Sequence, residues 1–397
     1  MKVLALGYIP KWRGGRQISG LATGLFDLHN SVNSCKSDIE VVIAATDIFT
    51  EETMIADTRV IGWNRKLIVK YALTHLYRIP LFMWISVLLL QYRPASNGFI
   101  KEIIKMLFLD YAISKEKPDV VHLHNPKYAY YRRIIKKTTP VVLRIHGLHG
   151  FNPTIQGYLN YRKLEKRITN LDFSFVSFLT TSNRDEWRRE YGEFRCPMVV
   201  VYNGFHSDYF FPLEYDDNPH VKYDLVTVAA LNENKGQIRV MDALDMLKRK
   251  DGRELKYLII GNPDGNYDEL LKNHSKQVDV SVSFVPYASQ KDLRNYLLQC
   301  RYFILPSITE GFGKVLVESI ATGIPVIIPN HLPLAQEKSI INNDNSVLLA
   351  GSDTDSIYNG LRTLPLITKN PIEISNTVSE LSWRNLAGKY IDLYHKI

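Results

Sequence analysis

Residues 301–329, RYFILPSITEGFGKVLVESIATGIPVIIP, constrain the fold more than any other stretch of this chain. The run at 302–305 is apolar and rich in aromatic and β-branched side chains, which predicts a buried strand. Pro306 stops it. Residues 307–313 read as a loop with a single carboxylate, Glu310. Leu316 and Ile320 lie four apart and predict a helix over 314–321, which Gly323 and Pro325 end. Residues 326–328 form the next strand. The result is a βαβ unit, and an open α/β sheet binds its ligands at the carboxyl ends of such strands.

The loop has its own chemistry. Gly311 and Gly313, on either side of Phe312, let backbone approach a ligand closely. The helix that begins at Lys314 turns its positive end toward the loop, which suits an anion. Glu310 cannot serve that anion; it suits neutral donors beside it, such as sugar hydroxyls. Glu318, about two turns further on, suits the hydroxyls of a second ring. An anion flanked by two polyols describes a nucleotide sugar. A plainer reading makes Glu310 a helix cap and Glu318 a solvated surface residue.

The whole stretch resembles the E-x7-E segment of the retaining family-4 glycosyltransferases, enzymes of the GT-B fold. Glu310 and Glu318 fall on its two glutamates, inside PS-x-x-EGFG and ES-x-x-x-G-x-PV. The resemblance implies that Glu310 contacts the donor sugar and Glu318 the nucleotide ribose. It implies an α/β protein of two Rossmann-like domains facing each other across a cleft, with a C-terminal helix crossing back to the first. It also implies a nucleoside diphosphate sugar as donor, retention of anomeric configuration, and no metal ion or cofactor.

The length of 397 residues allows two domains with well-buried cores. Domain boundaries are expected at 1–205, 206–375 and 376–397, with a turn-rich, acidic linker at 212–220. The three cysteines, Cys35, Cys196 and Cys300, form no metal spacing or disulfide framework and suit a reducing compartment. Residues 1–15 read as a first strand and loop rather than a signal peptide. Residues 1–200 hold 29 Lys/Arg against 17 Asp/Glu, whereas 201–397 hold 20 against 24. Any anionic surface is therefore expected to meet the N-terminal half.

Further site residues follow along the chain. Gly14 and Gly15 stand between a strand at 2–7 and a helix over 18–28, and resemble the family's glycine pair, whose amides face the donor diphosphate. The spacing is not the G-x-G-x-x-G of a dinucleotide site. The strands at 119–123 and 140–145 carry His122, His124 and His146 at their ends. His146-Gly147 resembles the family's histidine beside the donor sugar; a structural role is the alternative for any lone histidine, and the spacing does not read as a metal site. His149 and the residues to Pro153 read as a mobile loop. A capped helix is expected after Ser182. Residues 229–236, AALNENKG, resemble G-R-L-x-x-x-K-G, so Lys235 falls on the family's phosphate-binding lysine while Ala230 replaces its arginine. Arg239 and Lys314 are candidates to supply the missing charge. Asp353-Thr354-Asp355 superficially matches a metal-binding D-x-D, but its place at the start of a helix predicts an N-cap.

Residues 59–105 are unusual. Eight basic residues, Arg59, Arg65, Lys66, Lys70, Arg78, Arg93, Lys101 and Lys105, meet one acid, Glu102. Trp63, Tyr71, Tyr77, Trp84 and Tyr92 interleave, and 81–90 is the apolar run LFMWISVLLL. Two readings stand: an interfacial segment on an anionic membrane, or a core helix with a solvated basic face. Nothing there resembles a nucleic-acid module. Taken together, the chain is expected to be a retaining, metal-independent glycosyltransferase. His146, Glu310 and Lys235 are its catalytic residues; Gly14, Gly15, Lys235, Glu310, Gly311, Phe312, Gly313, Lys314 and Glu318 bind the donor. The acceptor is a glycan or lipid-linked glycan in bacterial cell-surface polysaccharide synthesis. The expected location is the cytoplasm, peripheral on the inner face of its membrane. The alternatives are a nucleotide-sugar-binding protein without transfer activity and a sugar-nucleotide epimerase.

Overall fold

The apolar runs of this chain form parallel strands covered on both faces, which is why they read as continuous rather than alternating. The computed structural model describes residues 1–16, 19–90, 98–151, 157–213, 221–364 and 370–397. It divides into one unit of Met1–Asn203 with Trp383–Ile397 and another of Gly204–Ser382.

The strands of the first unit are β1 (Lys2–Gly7), β2 (Glu40–Ala45), β3 (Glu52–Ile55), β4 (Thr58–Gly62), β5 (Val120–His124), β6 (Val141–Ile145), β7 (Phe175–Phe178) and β8 (Met198–Val200). Their order is β3-β4-β2-β1-β5-β6-β7-β8, and only the β3–β4 hairpin is antiparallel. Successive strands step away from β1 in one direction up to β4, then restart on its other side at β5. The carboxyl ends of β1 and β5 therefore flank the switch point where such sheets bind ligands. The helices before the crossover are α1 (Gly20–Ser34), α2 (Arg65–Thr74), α3 (Ile79–Leu90), α4 (Phe99–Glu116), α5 (Pro126–Ala129), α6 (Tyr158–Ile168) and α7 (Thr181–Tyr191).

The second unit repeats the logic with β9 (Tyr223–Val228), β10 (Tyr257–Ile260), β11 (Val282–Val285), β12 (Cys300–Ile304), β13 (Val326–Pro329) and β14 (Ser346–Leu349). The order β11-β10-β9-β12-β13-β14 puts its switch point between β9 and β12. Its helices are α8 (Gln237–Asp251), α9 (Tyr267–Gln277), α10 (Gln290–Leu297), α11 (Lys314–Ala321), α12 (Thr354–Arg362) and α13 (Pro371–Asn376). The last helix, α14 (Trp383–Tyr394), belongs to the first unit.

Several expected boundaries move. The change of unit falls after Ser382 rather than at 376, because α13 is held in the second unit: Ser375 Oγ donates to Ala321 O at 2.7 Å. Helix α7 is capped by Thr180, not Ser182; in the run Thr-Thr-Ser the first hydroxyl accepts from Asn183 N. Helix α1 starts at Gly20 with Ser19 as its cap, and the expected first residue, Ile18, lies outside the described residues. So do 214–220 of the linker, Tyr92 and Arg93, and Pro153. Asp353 caps α12 by accepting from Ser356 N.

Candidate active site

Two loops meet at the switch point of the second unit: residues 229–236 after β9 and 306–313 after β12. Asn234 ties them together. Its side chain donates to Thr309 O and accepts from Thr309 N, both at 3.0 Å, while its carbonyl accepts from Ile308 N at 2.9 Å. Arg239 ties them from behind, donating to Glu233 O, Pro306 O and Ser352 O at 2.7–3.1 Å. Gly236, at φ +77°, turns the first loop into α8, and a Cβ there would collide with the Arg239 guanidinium and Pro306 O.

This scaffold brings two opposite charges together. Lys235 Nζ lies 2.5 Å from Glu310 Oε1, and Ser307 Oγ donates to the same oxygen at 2.7 Å. Both charged side chains are largely enclosed. One helix turn on, Lys314 Nζ lies 2.7 Å from Glu318 Oε1, with the Glu318 side chain only 6% exposed. Glu318 is therefore not a solvated surface group. Nor is Glu310 the cap of α11: Gly313, at φ +78°, holds that position and leads into the helix. Gly311 and Phe312 lie between Glu310 and the start of α11.

Three backbone carbonyls take three of the five N–H groups of Arg239, so in this structure it braces the loops. Ala230 itself is exposed, and its carbonyl accepts from Gln237 Nε2 at 3.0 Å. Lys314, the other named candidate, is the first residue of α11 and pairs with Glu318.

The first unit carries the other expected residues. Gly14 and Gly15 lie beyond β1, but their amides do not point outward. Gly14 N donates to Lys11 O at 3.0 Å and Gly15 N to Pro10 O at 3.2 Å. This corrects the expectation that they face the diphosphate. The turn needs glycine for its own geometry: Gly14 is left-handed at φ +89°, and a Cβ on Gly15 would lie 1.9 Å from Ile9 O. Asp47 anchors the same loop, accepting from the amides of Ile9 and Arg16. Burial raises its carboxyl above the ordinary value, against those amides, which lower it.

His146 follows β6 directly and is nearly buried, with Nε2 2.9 Å from His124 Nδ1. His124 Nε2 lies 2.8 Å from His29 Nε2 on α1. His122 Nδ1 meets the Tyr394 hydroxyl at 2.6 Å. Arg144, fully buried on β6, donates to the Tyr390 hydroxyl, Tyr202 O and Asn203 Oδ1. Sequence reasoning missed His29, Arg144, Asn234 and the two tyrosines as parts of these sites. One signal was available: a charged Arg144 inside the apolar strand PVVLRI needs a buried partner.

One lysine–carboxylate pair at a strand switch point, and a second in the first turns of the glycine-led helix that follows, sit on a fold of the GT-B glycosyltransferase class. The solved structures agree on the fold. Sucrose-phosphate synthase from Thermosynechococcus elongatus matches with TM-score 0.75 at 14% identity, covering 100% of this chain and 99% of the other. The Anabaena protein HepE in complex with UDP and glucose matches with TM-score 0.70 at 14% identity, covering all of both chains.

The chain belongs to the family-4 glycosyltransferases. The profile "Glycosyltransferase Family 4" matches residues 72–209, and "Glycosyl transferases group 1" matches 216–371. Among curated relatives, the GDP-mannose:cellobiosyl-diphosphopolyprenol alpha-mannosyltransferase of Xanthomonas oryzae is 27% identical over 70% of this chain and 74% of its own length. The UDP-Gal:alpha-D-GlcNAc-diphosphoundecaprenol alpha-1,3-galactosyltransferase of Escherichia coli is 23% identical over 69% and 74%. The chain is a sugar-transferring enzyme.

Proposed function

We propose that this enzyme moves a sugar from a nucleoside diphosphate sugar to a glycan carried on a polyprenyl diphosphate. It does so with retention, without a metal ion or cofactor, at the inner face of the cytoplasmic membrane. The observation that carries this reading is the pairing of Lys235 with Glu310 beside that of Lys314 with Glu318. Each cation suits a diphosphate oxygen and each carboxylate a ring hydroxyl. In glycosyl transfer, charge gathers on the departing diphosphate while the sugar becomes oxocarbenium-like, so catalysis depends on stabilising the leaving group. Lys235 is the residue for that task, with the positive end of α11 beside it. Glu310 positions the sugar, and its charge favours the cationic ring. His146 hydrogen-bonds the donor sugar, and Glu318 holds the ribose. The Gly14-Gly15 turn shapes the loop after β1 without lending its two amides. The lipid-linked acceptor is supported by the names of the two relatives described above.

The membrane reading draws on α2, α3 and the start of α4. Helix α3 buries Phe82, Ile85 and Leu89 and exposes Met83, Trp84 and Val87. Val69, Leu73, Leu76, Tyr77 and Ile100 are exposed as well. An exposed apolar group of this size marks an interaction surface. Arg65, Lys66, Lys70 and Lys101 are exposed on the same elements. Other basic residues have internal partners: Arg78 pairs with Asp110 at 2.7 Å, Arg59 with Glu116, and Lys105 with Glu102. Helix α3 thus has a core-facing side, while the exposed basic residues stand on α2 and α4. No described helix is long and apolar enough to cross a membrane. A surface of this kind suits an interfacial contact with anionic lipid.

The test is transfer from a panel of nucleotide sugars to a synthetic prenyl-diphosphate-linked sugar in excess chelator, with the product anomer read by NMR. Retained configuration in the presence of chelator is expected. The exposed Ala230 favours one rival, a binding protein without turnover. Tight donor binding with no product on any acceptor would establish that rival, and isomerised donor without acceptor would identify an epimerase.

A further inference from the structure

Three rings, His29, His124 and His146, form a chain closed by two short nitrogen–nitrogen contacts of 2.8 and 2.9 Å. His29 and His124 are fully buried, and burial holds both far below the ordinary histidine value, so both are neutral. A neutral imidazole has one N–H and one lone pair. Each contact takes one hydrogen, so the chain has two arrangements. In one, every N–H points toward His146: His29 Nε2–H to His124 Nε2, then His124 Nδ1–H to His146 Nε2. In the other, every N–H points back toward His29 and leaves an N–H on its Nδ1.

That far end decides between them. Among the described residues, buried His29 Nδ1 has no hydrogen-bond partner. A buried N–H left without an acceptor is the costlier orphan, so the unpartnered nitrogen carries the lone pair.

We propose that His29 and His124 are positioning residues for His146, holding its ring and fixing it as the tautomer with the proton on Nδ1 and the lone pair on Nε2. His146 then gives, rather than takes, a hydrogen bond at Nδ1, and the choice is made two rings away in the interior. The effect on turnover rests on the transferase reading above; the tautomer itself does not.

Selective 15N labelling of histidine in the full chain tests this, because the protonated and unprotonated nitrogens of each ring are told apart by their shifts. The wild-type spectrum should show His146 protonated at Nδ1. His29→Leu removes the donor to His124 and should give a mixture of His146 tautomers. His29→Gln places an amide N–H where Nε2 stood and should restore the single form. In parallel, kcat should fall about tenfold in His29→Leu with donor KM little changed, and recover in His29→Gln. Protonation of His146 at Nε2 in the wild type would overturn the proposal, and this holds even if His29→Leu does not fold. An unchanged tautomer in a folded His29→Leu variant would overturn it too. If the tautomer responds but no substrate turns over, the transferase reading fails and this proposal stands.

Discussion

Lys235 Nζ stands 2.5 Å from Glu310 Oε1, the oxygen that also accepts the Ser307 hydroxyl. On the roles proposed above, the cation for a diphosphate and the carboxylate for a sugar satisfy each other here, and a donor would separate them, phosphate taking the lysine and the sugar hydroxyls the freed carboxylate. Removing the carboxylate should then help one half of the ligand and harm the other. Glu310→Gln is expected to bind the free nucleoside diphosphate more tightly than wild type while turning over the nucleotide sugar more slowly. Calorimetry with the diphosphate alone, beside steady-state kinetics, checks this; weaker diphosphate binding would count against the pair as a latch. Lys235→Ala should lower kcat by about 10²–10³-fold, the range for loss of a group that stabilises developing charge.

Glu318, nearly buried and paired with Lys314, should read the ribose. Wild type is expected to discriminate against a deoxyribose donor, and Glu318→Gln to lose most of that discrimination. Equal preference for ribose in the two proteins would remove Glu318 from this role.

Arg239 holds one carbonyl of each loop, Glu233 O and Pro306 O, together with Ser352 O. Arg239→Met should cost about 2 kcal/mol or more, since enclosed carbonyls lose charged donors. Urea denaturation reads that loss. Ala230→Arg, at an exposed position, restores the second cation of the related enzymes and should raise kcat/KM for the donor several-fold. No gain would show that the site works with one.

The buried histidines make stability pH-dependent. Burial, with the Arg144 charge adding to it, pushes His29 down to about 3 from its ordinary 6.5, and His122 and His124 are also lowered. Below about 6.5 the unfolded chain takes up protons that the folded chain refuses. Stability is therefore complete above that pH and falls toward pH 3, by about 1.4 kcal/mol per unit for each such histidine. His29→Asn should flatten the slope by one histidine's share. An unaltered slope between pH 7 and 5 would contradict a neutral His29.

Vesicle binding should depend on two independent surfaces. Lys66→Glu with Lys70→Glu should weaken binding to anionic vesicles and leave neutral ones unaffected; Trp84→Glu should weaken both. Arg78→Glu should instead destabilise the fold, because it places a second carboxylate against Asp110. Co-sedimentation that is indifferent to lipid charge would remove the electrostatic half of the proposal.

The legible parts of this molecule were those written within one segment. Residues 301–329 gave strand, loop and helix because apolar spacing, a glycine and a proline all act locally. The pairing of Lys235 with Glu310 spans 75 residues and was reached only as two separate roles on one ligand. His29 was illegible as a partner, and Arg144 signalled only that it needed one, since their contacts join α1 to β5 and β6 to α14. The Gly14-Gly15 turn was misread for a physical reason. Glycine serves a close approach in either direction, and here the neighbour is Ile9 of the same loop.

Helix α14 places Tyr390 and Tyr394 against Arg144, Ser177 and His122 of a unit whose other residues end at Asn203. During synthesis, roughly half the polypeptide emerges between those two pieces. The first sheet must wait through all of it with the His122 imidazole uncapped and the Arg144 guanidinium short of one of its three partners. The second unit has no such delay, so the order of maturation on the ribosome is expected to run opposite to the order of translation. Limited proteolysis of stalled nascent chains, with stalls placed before and after α14, would show protection of the first unit only in the longer chain.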